Sequence, residues 1–187
     1  MVSQFVTSHK VGLLGDLDFN FPEGTHAVGR LDNHSEGLLI LTTNKKITRL
    51  LFLSDTPHKR TYLVQLNNLL SEENLHLLQT GLSIRVKGGE DYITPPCNVT
   101  VIENPGILFN TATNLKEYGL RTWLQITLTE GKFHQVRKMV AAVRHRCKRL
   151  IRISIEDLEL GELQPGCVRE IEEKDFFKLL NIGILGY

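Results

Sequence analysis

The chain has 187 residues, of which 41% are hydrophobic, 23% charged and 7% aromatic, and its net charge is +1. This composition is typical of a globular protein and excludes a disordered chain, a collagen and a coiled coil. No apolar run approaches the ~20 residues that cross a bilayer, and the first ten residues lack the pattern of a leader peptide. We therefore expect a soluble cytoplasmic protein without a membrane partner.

The cysteines and histidines predict no metal site. Cys97, Cys147 and Cys167 are odd in number and widely spaced, which favours reduced thiols in the core over a disulfide framework or a CxxC metal site. The seven histidines form no HExxH pattern, and no glycine-rich phosphate loop occurs in the chain. We expect neither a metal ion nor a nucleotide cofactor.

Positive charge is concentrated in one part of the chain. Residues 131–155 hold eight basic residues and no acid, which leaves fourteen Lys and Arg against twenty-one Asp and Glu elsewhere. Such a stripe on an otherwise acidic body is typical of a phosphate-contacting face, although a solvated helix face has the same composition. The eight residues are Lys132, Arg137, Lys138, Arg144, Arg146, Lys148, Arg149 and Arg152.

The first half of the chain predicts strands alternating with helices. Asn44 and Ser71 are typical N-cap residues, and Gly81 is a typical residue just past a helix end. Tyr62 and Val64 alternate with polar residues, as in a strand. The elements predicted up to residue 81 are strands at 25–28, 38–43 and 59–66 and helices at 45–53 and 72–80.

The second half continues the same mixture, so we expect an α+β protein with a mainly antiparallel or mixed central sheet flanked by helices. Val136, Met139 and Val140 recur at helical spacing, which leaves the neighbouring basic residues on the displayed face. Glycines and prolines break up residues 88–119. The predicted elements are hairpins within 88–119, strands at 122–129 and 148–155, a helix that begins at 135, and a helix at 173–180.

Two residues are functional candidates on their chemistry alone. Asp32 lies in the loop 29–37 beside Arg30, where an aspartate is either a turn former or a reactive carboxylate. Leu150 lies on the otherwise polar face of the strand 148–155, where it either covers a helix or forms the apolar wall of a nucleobase cleft. The residues by themselves leave both alternatives open.

Several segments resemble one family in the same order along the chain, from about residue 25 to about residue 172. Residues 29–42, GRLDNHSEGLLILT, resemble the GRLDxxSxGLLxLT signature of the RsuA/RluE-type ribosomal pseudouridine synthases. Residues 59–64, KRTYLV, resemble the family's basic-x-Tyr-x-Val strand. Residues 130–139, EGKFHQVRKM, are similar to the EGKxxQVRRM motif, and residues 149–152 and 163–169 resemble the strand and the LxPGxxR segment that follow it.

The resemblance implies a pseudouridine synthase fold with a basic active-site cleft, formed by one catalytic domain over residues 1–187. It implies no S4 domain, and a family N-terminal strand that either is missing or begins upstream of Met1. The implied activity is isomerisation of a stem-loop uridine in ribosomal RNA, with the large subunit favoured, by a monomer without a cofactor. The alternative is a non-catalytic RNA-binding or ribosome-assembly protein with this fold. A glycoside hydrolase is disfavoured, because that interpretation needs a second carboxylate and the motifs offer none at a plausible position.

The resemblance also implies roles for individual residues. Asp32 matches the catalytic aspartate, Tyr62 the tyrosine that lies against the target base, and Arg137 the arginine that pairs with the carboxylate. Asn33 and His34 depart from the family's usual pair after the aspartate, so we expect them to discriminate between substrates. Phosphate contacts are expected from Lys132, Lys138, Arg144, Arg146 and Arg152, and Arg30, His134, Gln135 and Leu150 complete the expected substrate site.

Overall fold

The computed structural model describes residues 1–52, 56–107 and 121–183. Within these ranges the chain forms two short 3₁₀ turns, ten strands and four α-helices. The strands are β1 (His26–Ala27), β2 (Glu36–Gly37), β3 (Leu41–Thr42), β4 (Arg60–Leu66), β5 (Ser83–Arg85), β6 (Asp91–Ile93), β7 (Asn98–Ile102), β8 (Trp123–Leu128), β9 (Cys147–Ile155) and β10 (Leu158–Glu159). The helices are α1 (Ile47–Phe52), α2 (Glu72–Thr80), α3 (Gln135–Ala142) and α4 (Glu173–Leu179).

A mixed sheet forms the centre of the fold. Its order is β10-β9-β4-β8-β7 with antiparallel neighbours, and β2 joins β9 in parallel. Two further pairs lie outside this sheet, since β1 pairs with β3 and β5 forms a hairpin with β6. The expected α+β class with a mixed sheet is confirmed.

Each face of the sheet carries its own apolar core because side chains alternate along a strand. Leu63 of β4 and Ile151 of β9 pack on one side with α1 and α4. Val64 of β4 and Leu150 of β9 pack on the other side with α2 and α3. The helices therefore flank the sheet on both faces, as expected.

Gly37 brings the loop that contains Asp32 against the sheet. Its φ is +101°, a left-handed conformation that residues with a β-carbon rarely adopt. A β-carbon at this position would also overlap the backbone oxygen of Arg152. Glycine thus permits β2 to pair with β9 in parallel, and that pairing fixes where the loop lies.

Most predicted boundaries agree with the structure to within two residues. Helix α2 spans 72–80 as predicted, and the Ser71 side chain accepts a hydrogen bond from the Asn74 backbone. Helix α1 begins at Ile47 rather than at residue 45, because Asn44 caps it through its backbone oxygen as well as its side chain. The predicted end of that helix at residue 53, and the part of the hairpin region from 108 to 119, lie outside the described residues.

The prediction that all three cysteines are core thiols is wrong. Cys97 and Cys147 are half-buried and Cys167 is exposed. Burial raises the pKa of the Cys97 and Cys147 thiols, whereas Cys167 lies in a surface turn. Across the described ranges, no helix combines the length and apolarity that crossing a membrane requires.

Candidate active site

A cleft of about 480 Å³ opens beside the sheet, where the loop after β1 meets the start of β4, the segment before α3, and β9. Eight of the residues expected at the site line this cleft: Arg30, Asp32, Tyr62, Lys132, His134, Gln135, Leu150 and Arg152. Four others, Asn33, His34, Arg137 and Lys138, lie outside its lining. A larger cavity of about 980 Å³ lies on the other side of the Asp32 loop, and Asn33 lines that one.

Asp32 projects from a closed turn. The Ser35 backbone N–H donates to the Asp32 carbonyl at 2.8 Å, which is the turn-forming role expected of an aspartate loop. The carboxylate remains available, because its side chain is 33% exposed and its Oδ1 lies 3.5 Å from Nε2 of His134. The turn is therefore present, it leaves the Asp32 carboxylate free to face the cleft, and the reactive role of that carboxylate stays a prediction.

Arg152 is buried in the wall of the cleft. Its side chain is 4% exposed, and Nε donates to the Leu38 carbonyl at 2.8 Å. Its Nη2 has no hydrogen-bond partner among the described residues. Burial lowers the pKa of this guanidinium, and a hydrogen bond to Tyr62 and the charge of Asp32 act in the opposite direction. The guanidinium thus lies in the cleft lining near Asp32 and Tyr62 rather than on the outer surface, and the expected phosphate contact of Arg152 stays a prediction.

Tyr62 and Leu150 line the cleft from neighbouring strands of the sheet. Tyr62 of β4 lies directly across from Arg152 of β9, next to a register shift between Thr61 and Tyr62 that re-aims the strand. Leu150 is 4% exposed, packs in the core on the α3 side and also lines the cleft. Leu150 thus covers the helices on that side, and its role as the wall of a nucleobase cleft stays a prediction.

Arg137 does not pair with Asp32, which corrects the expected contact. Its Nη2 donates to the His34 carbonyl at 2.5 Å and lies 3.4 Å from Ser35 Oγ. The guanidinium therefore connects α3 to the Asp32 loop through His34 and Ser35.

The segment before α3 is held by a network around Glu130. The Tyr92 hydroxyl and the Gln135 side-chain amide both donate to the Glu130 carboxylate, and Gln135 Oε1 accepts from the Lys132 backbone at 2.8 Å. The hydrogen bond to Glu130, followed by burial and the charge of Glu130, raises the pKa of Tyr92. Lys132 Nζ lies 4.8 Å from the Tyr92 ring centre. Gln135 and Lys132 thus shape the segment.

Several cleft residues were not identified from the sequence. Arg60 stacks over the Phe52 ring at 5.2 Å, and its Nε has no hydrogen-bond partner in the described part of the chain. His58 is buried, and its Nδ1 lies 3.2 Å from Glu156 Oε1. The basic position at the start of the KRTYLV segment was the available signal for Arg60, whereas His58 lies outside every motif.

The basic stripe divides into paired and displayed residues. Arg149 donates to both oxygens of Glu36, at 3.0 Å and 2.7 Å, so its charge is offset at the β2–β9 junction. Arg144, Arg146 and Lys148 are exposed around the end of α3 and the start of β9. In the described ranges, no three His, Cys, Asp or Glu side chains lie together as metal ligands would.

Comparisons with known proteins identify one family for this chain. Residues 16–142 match the family model described as RNA pseudouridylate synthase. The chain is 36% identical over 148 residues to a ribosomal large subunit pseudouridine synthase E of Vibrio parahaemolyticus, covering 79% of this chain and 60% of the relative. It is 34% identical over 152 residues to a protein of the same name from Xanthomonas axonopodis pv. citri, covering 79% and 76%.

A solved structure shares the fold. The crystal structure of a pseudouridylate synthase matches with a TM-score of 0.67 and 27% identity over 86% of this chain and 63% of that one. The expected fold is confirmed by this match. The chain spans less than two thirds of the length of this structure and of the Vibrio relative.

Proposed function

Because the chain belongs to the RNA pseudouridylate synthase family, we propose that it isomerises a uridine of ribosomal RNA to pseudouridine. The observation that carries the proposal is the Asp32 carboxylate, one-third exposed at a cleft that also contains Tyr62, Leu150 and the buried Arg152. Relatives named as large subunit synthases favour the large ribosomal subunit as the source of the RNA. We further propose that residues 1–187 act as one catalytic domain, as a monomer in the cytoplasm.

The reaction cleaves the bond from ribose C1′ to uracil N1 and forms a bond from C1′ to uracil C5. The proton on C5 leaves, and N1 gains one, so product and substrate have the same composition. Positive charge develops at C1′ when the first bond breaks. Asp32 acts on that charge by electrostatic stabilisation, by forming an ester, or by taking a ribose proton, and each route needs an ionised carboxylate.

Two nitrogen-bearing side chains, Arg152 and His134, lie beside the Asp32 carboxylate. The Arg152 guanidinium is buried, where a charge acts more strongly than it does in water. The imidazole of His134 holds Oδ1 on one side, at 3.5 Å. The Arg137 hydrogen bonds to His34 and Ser35 restrict the loop, so that the carboxylate keeps its direction toward the cleft.

The target uridine has to leave its stack in order to reach Asp32. The cleft volume of about 480 Å³ falls within the roughly 300–1,000 Å³ of small-molecule sites. The Tyr62 ring and the Leu150 side chain supply an aromatic and an apolar surface for the extruded base. The exposed Arg144, Arg146 and Lys148 supply phosphate contacts that add affinity without reading sequence.

The test is carbodiimide mapping of pseudouridine on unmodified large- and small-subunit RNA fragments after incubation with the protein. We expect a new stop at a discrete uridine with the wild type and none with Asp32→Asn. Asp91→Asn is the matched control, because that carboxylate is 75% exposed in the β5–β6 hairpin, and it should give the wild-type stop. An unchanged stop with Asp32→Asn would refute the role of Asp32. Binding of RNA without any stop would favour the non-catalytic alternative.

A further inference from the structure

Phe133 presents an aromatic ring to solvent at the rim of the cleft. It is 62% exposed and lines the cleft, whereas every other Phe, Tyr or Trp in the described ranges is half-buried or buried. An exposed apolar residue alone has no functional meaning. Three observations about the contacts of this ring distinguish Phe133 from an exposed apolar residue without a function.

The first is a stack with the next residue. The Phe133 and His134 ring centres are 3.8 Å apart and their planes differ by 17°, so the two rings form a flat double layer. His134 in turn reaches Asp32 Oδ1 at 3.5 Å through Nε2. The layer therefore connects the rim of the cleft to the carboxylate.

The second is the backbone. His134 has a φ of +56°, in the left-handed region that residues with a β-carbon rarely adopt. This conformation occurs at the N-cap of α3, which begins at Gln135, and the His134 carbonyl accepts the Lys138 N–H at 3.0 Å. The rings are thus held in one orientation by the start of the helix.

The third is a cation beside the ring. Lys138 Nζ lies 5.4 Å from the Phe133 ring centre, within the range of a cation–π contact. An aromatic face next to an ammonium group suits a nucleotide, because the base stacks on the ring and the phosphate meets the cation. A purely apolar protein partner would offer no group to pair with the Lys138 ammonium.

We propose that Phe133 and His134 form a stacking subsite for an unpaired nucleobase beside the extruded uridine, with Lys138 on the adjoining phosphate. This inference rests on the proposed function, since that function supplies the strand. When the uridine is extruded, the base next to it loses a stacking neighbour, and the Phe133 ring replaces that neighbour. The subsite is sequence-tolerant because every base has a flat face.

The experiment compares two single-stranded probes of equal charge: a 12-nucleotide oligo(A) RNA and a 12-unit abasic ribose-phosphate chain. Phe133→Ala should bind oligo(A) about tenfold more weakly than the wild type, as expected for the loss of one stacked base, and the abasic chain equally well. Phe133→Tyr should retain the wild-type affinity for both. Leu69→Ala is the control, because Leu69 is 58% exposed beyond the opposite end of β4 and should change neither affinity.

Fluorescence gives a second readout. Trp123 is the single tryptophan and is 3% exposed, so a Phe133→Trp variant adds one exposed reporter at the subsite. Oligo(A) should quench this reporter and the abasic chain should not. Trp123 fluorescence in Phe133→Ala verifies that this variant is folded.

Equal weakening of both probes by Phe133→Ala, or no weakening of either, would overturn the subsite. Neither probe depends on isomerisation, so an intact contrast between the probes with no pseudouridine formed on ribosomal RNA would refute the proposed function and keep the subsite. Failure of the wild type to bind oligo(A) would also overturn the subsite, whereas the mapping on ribosomal RNA alone decides the proposed function.

Discussion

Leu38 and Arg152 exchange two hydrogen bonds. The Leu38 N–H donates to the Arg152 carbonyl and the Arg152 Nε donates to the Leu38 carbonyl, each at 2.8 Å. This exchange extends the β2–β9 pairing by a side-chain contact. The two hydrogen bonds hold both the end of the Asp32 loop and the buried guanidinium in place. The geometry of the cleft therefore depends on the close approach of β2 and β9.

Gly37→Ala tests that close approach. We expect it to lower the free energy of unfolding by more than about 2 kcal/mol, because the added β-carbon strains a positive φ and overlaps the Arg152 backbone. Urea unfolding followed by circular dichroism measures the change.

Gly88→Ala is a matched control for Gly37→Ala. Gly88 has the same φ of +101°, but a β-carbon there meets no atom within 4 Å. Gly88→Ala should lower the free energy of unfolding by about 1 kcal/mol, because backbone strain is its only effect. Equal costs at the two positions would mean that the approach of Gly37 to Arg152 does not matter for stability.

Arg152→Met tests the electrostatic role of the buried guanidinium. Methionine fills similar space but removes the charge that acts on Asp32. We expect kcat on saturating RNA to fall about 100-fold, as for the loss of one preorganised charge or donor, while the protein stays folded. Single-turnover assays measure the rate, and circular dichroism verifies the fold.

The control for Arg152→Met lies on the same strand. Arg149→Met removes a guanidinium that pairs with Glu36 outside the cleft lining, so kcat should stay within about threefold of the wild type. If both variants lose activity to the same extent, the effect belongs to strand β9 in general and not to the charge beside Asp32.

Strands, helices and motifs were largely predictable from the sequence, and depth of burial was not. Helix α2 was predicted to the residue because Ser71 and Gly81 are local end signals. The alternation along β9 assigned Arg152 to the correct face, but a strand pattern does not report that Gly37 and Leu38 lie directly beside Arg152. The burial of Arg152 could not be predicted for this reason.

The partners of side chains in the site depend on contacts between distant segments. The resemblance assigned Arg137 to Asp32, yet the turn closed by Ser35 presents the His34 carbonyl and the Ser35 hydroxyl to that guanidinium instead. The stack of Phe133 on His134 requires a left-handed backbone at a non-glycine residue, which no spacing rule indicates. The motif thus located the site without fixing its geometry.

Tyr92→Phe tests the network that holds the segment before α3. The hydrogen bond to Glu130 raises the pKa of Tyr92, so the neutral phenol is favoured in the folded state. Its stabilisation is fully present below the unfolded pKa of about 10 and is lost as pH rises through the higher folded pKa. We expect Tyr92→Phe to lower stability by about 1 kcal/mol at pH 8, and the difference from the wild type to shrink above pH ~10.

Urea titrations of the wild type and Tyr92→Phe at a series of pH values measure this difference directly, since all other titrating groups are common to both proteins. A difference that stays constant between pH ~8 and ~11 would mean that ionisation of Tyr92 is not linked to folding.

The displayed basic residues predict a salt dependence of RNA binding that belongs to one face of the protein. Arg144 and Arg146 are exposed after α3, so the double variant Arg144→Gln/Arg146→Gln should reduce the slope of log K against log salt by about 1–2 units. The matched variant Lys174→Gln/Lys178→Gln removes the same charge from exposed positions on α4, which packs on the opposite face of the sheet. Its slope should equal that of the wild type. Fluorescence anisotropy at several salt concentrations measures both slopes, and an equal change in the two variants would show that total charge, rather than the face after α3, governs binding.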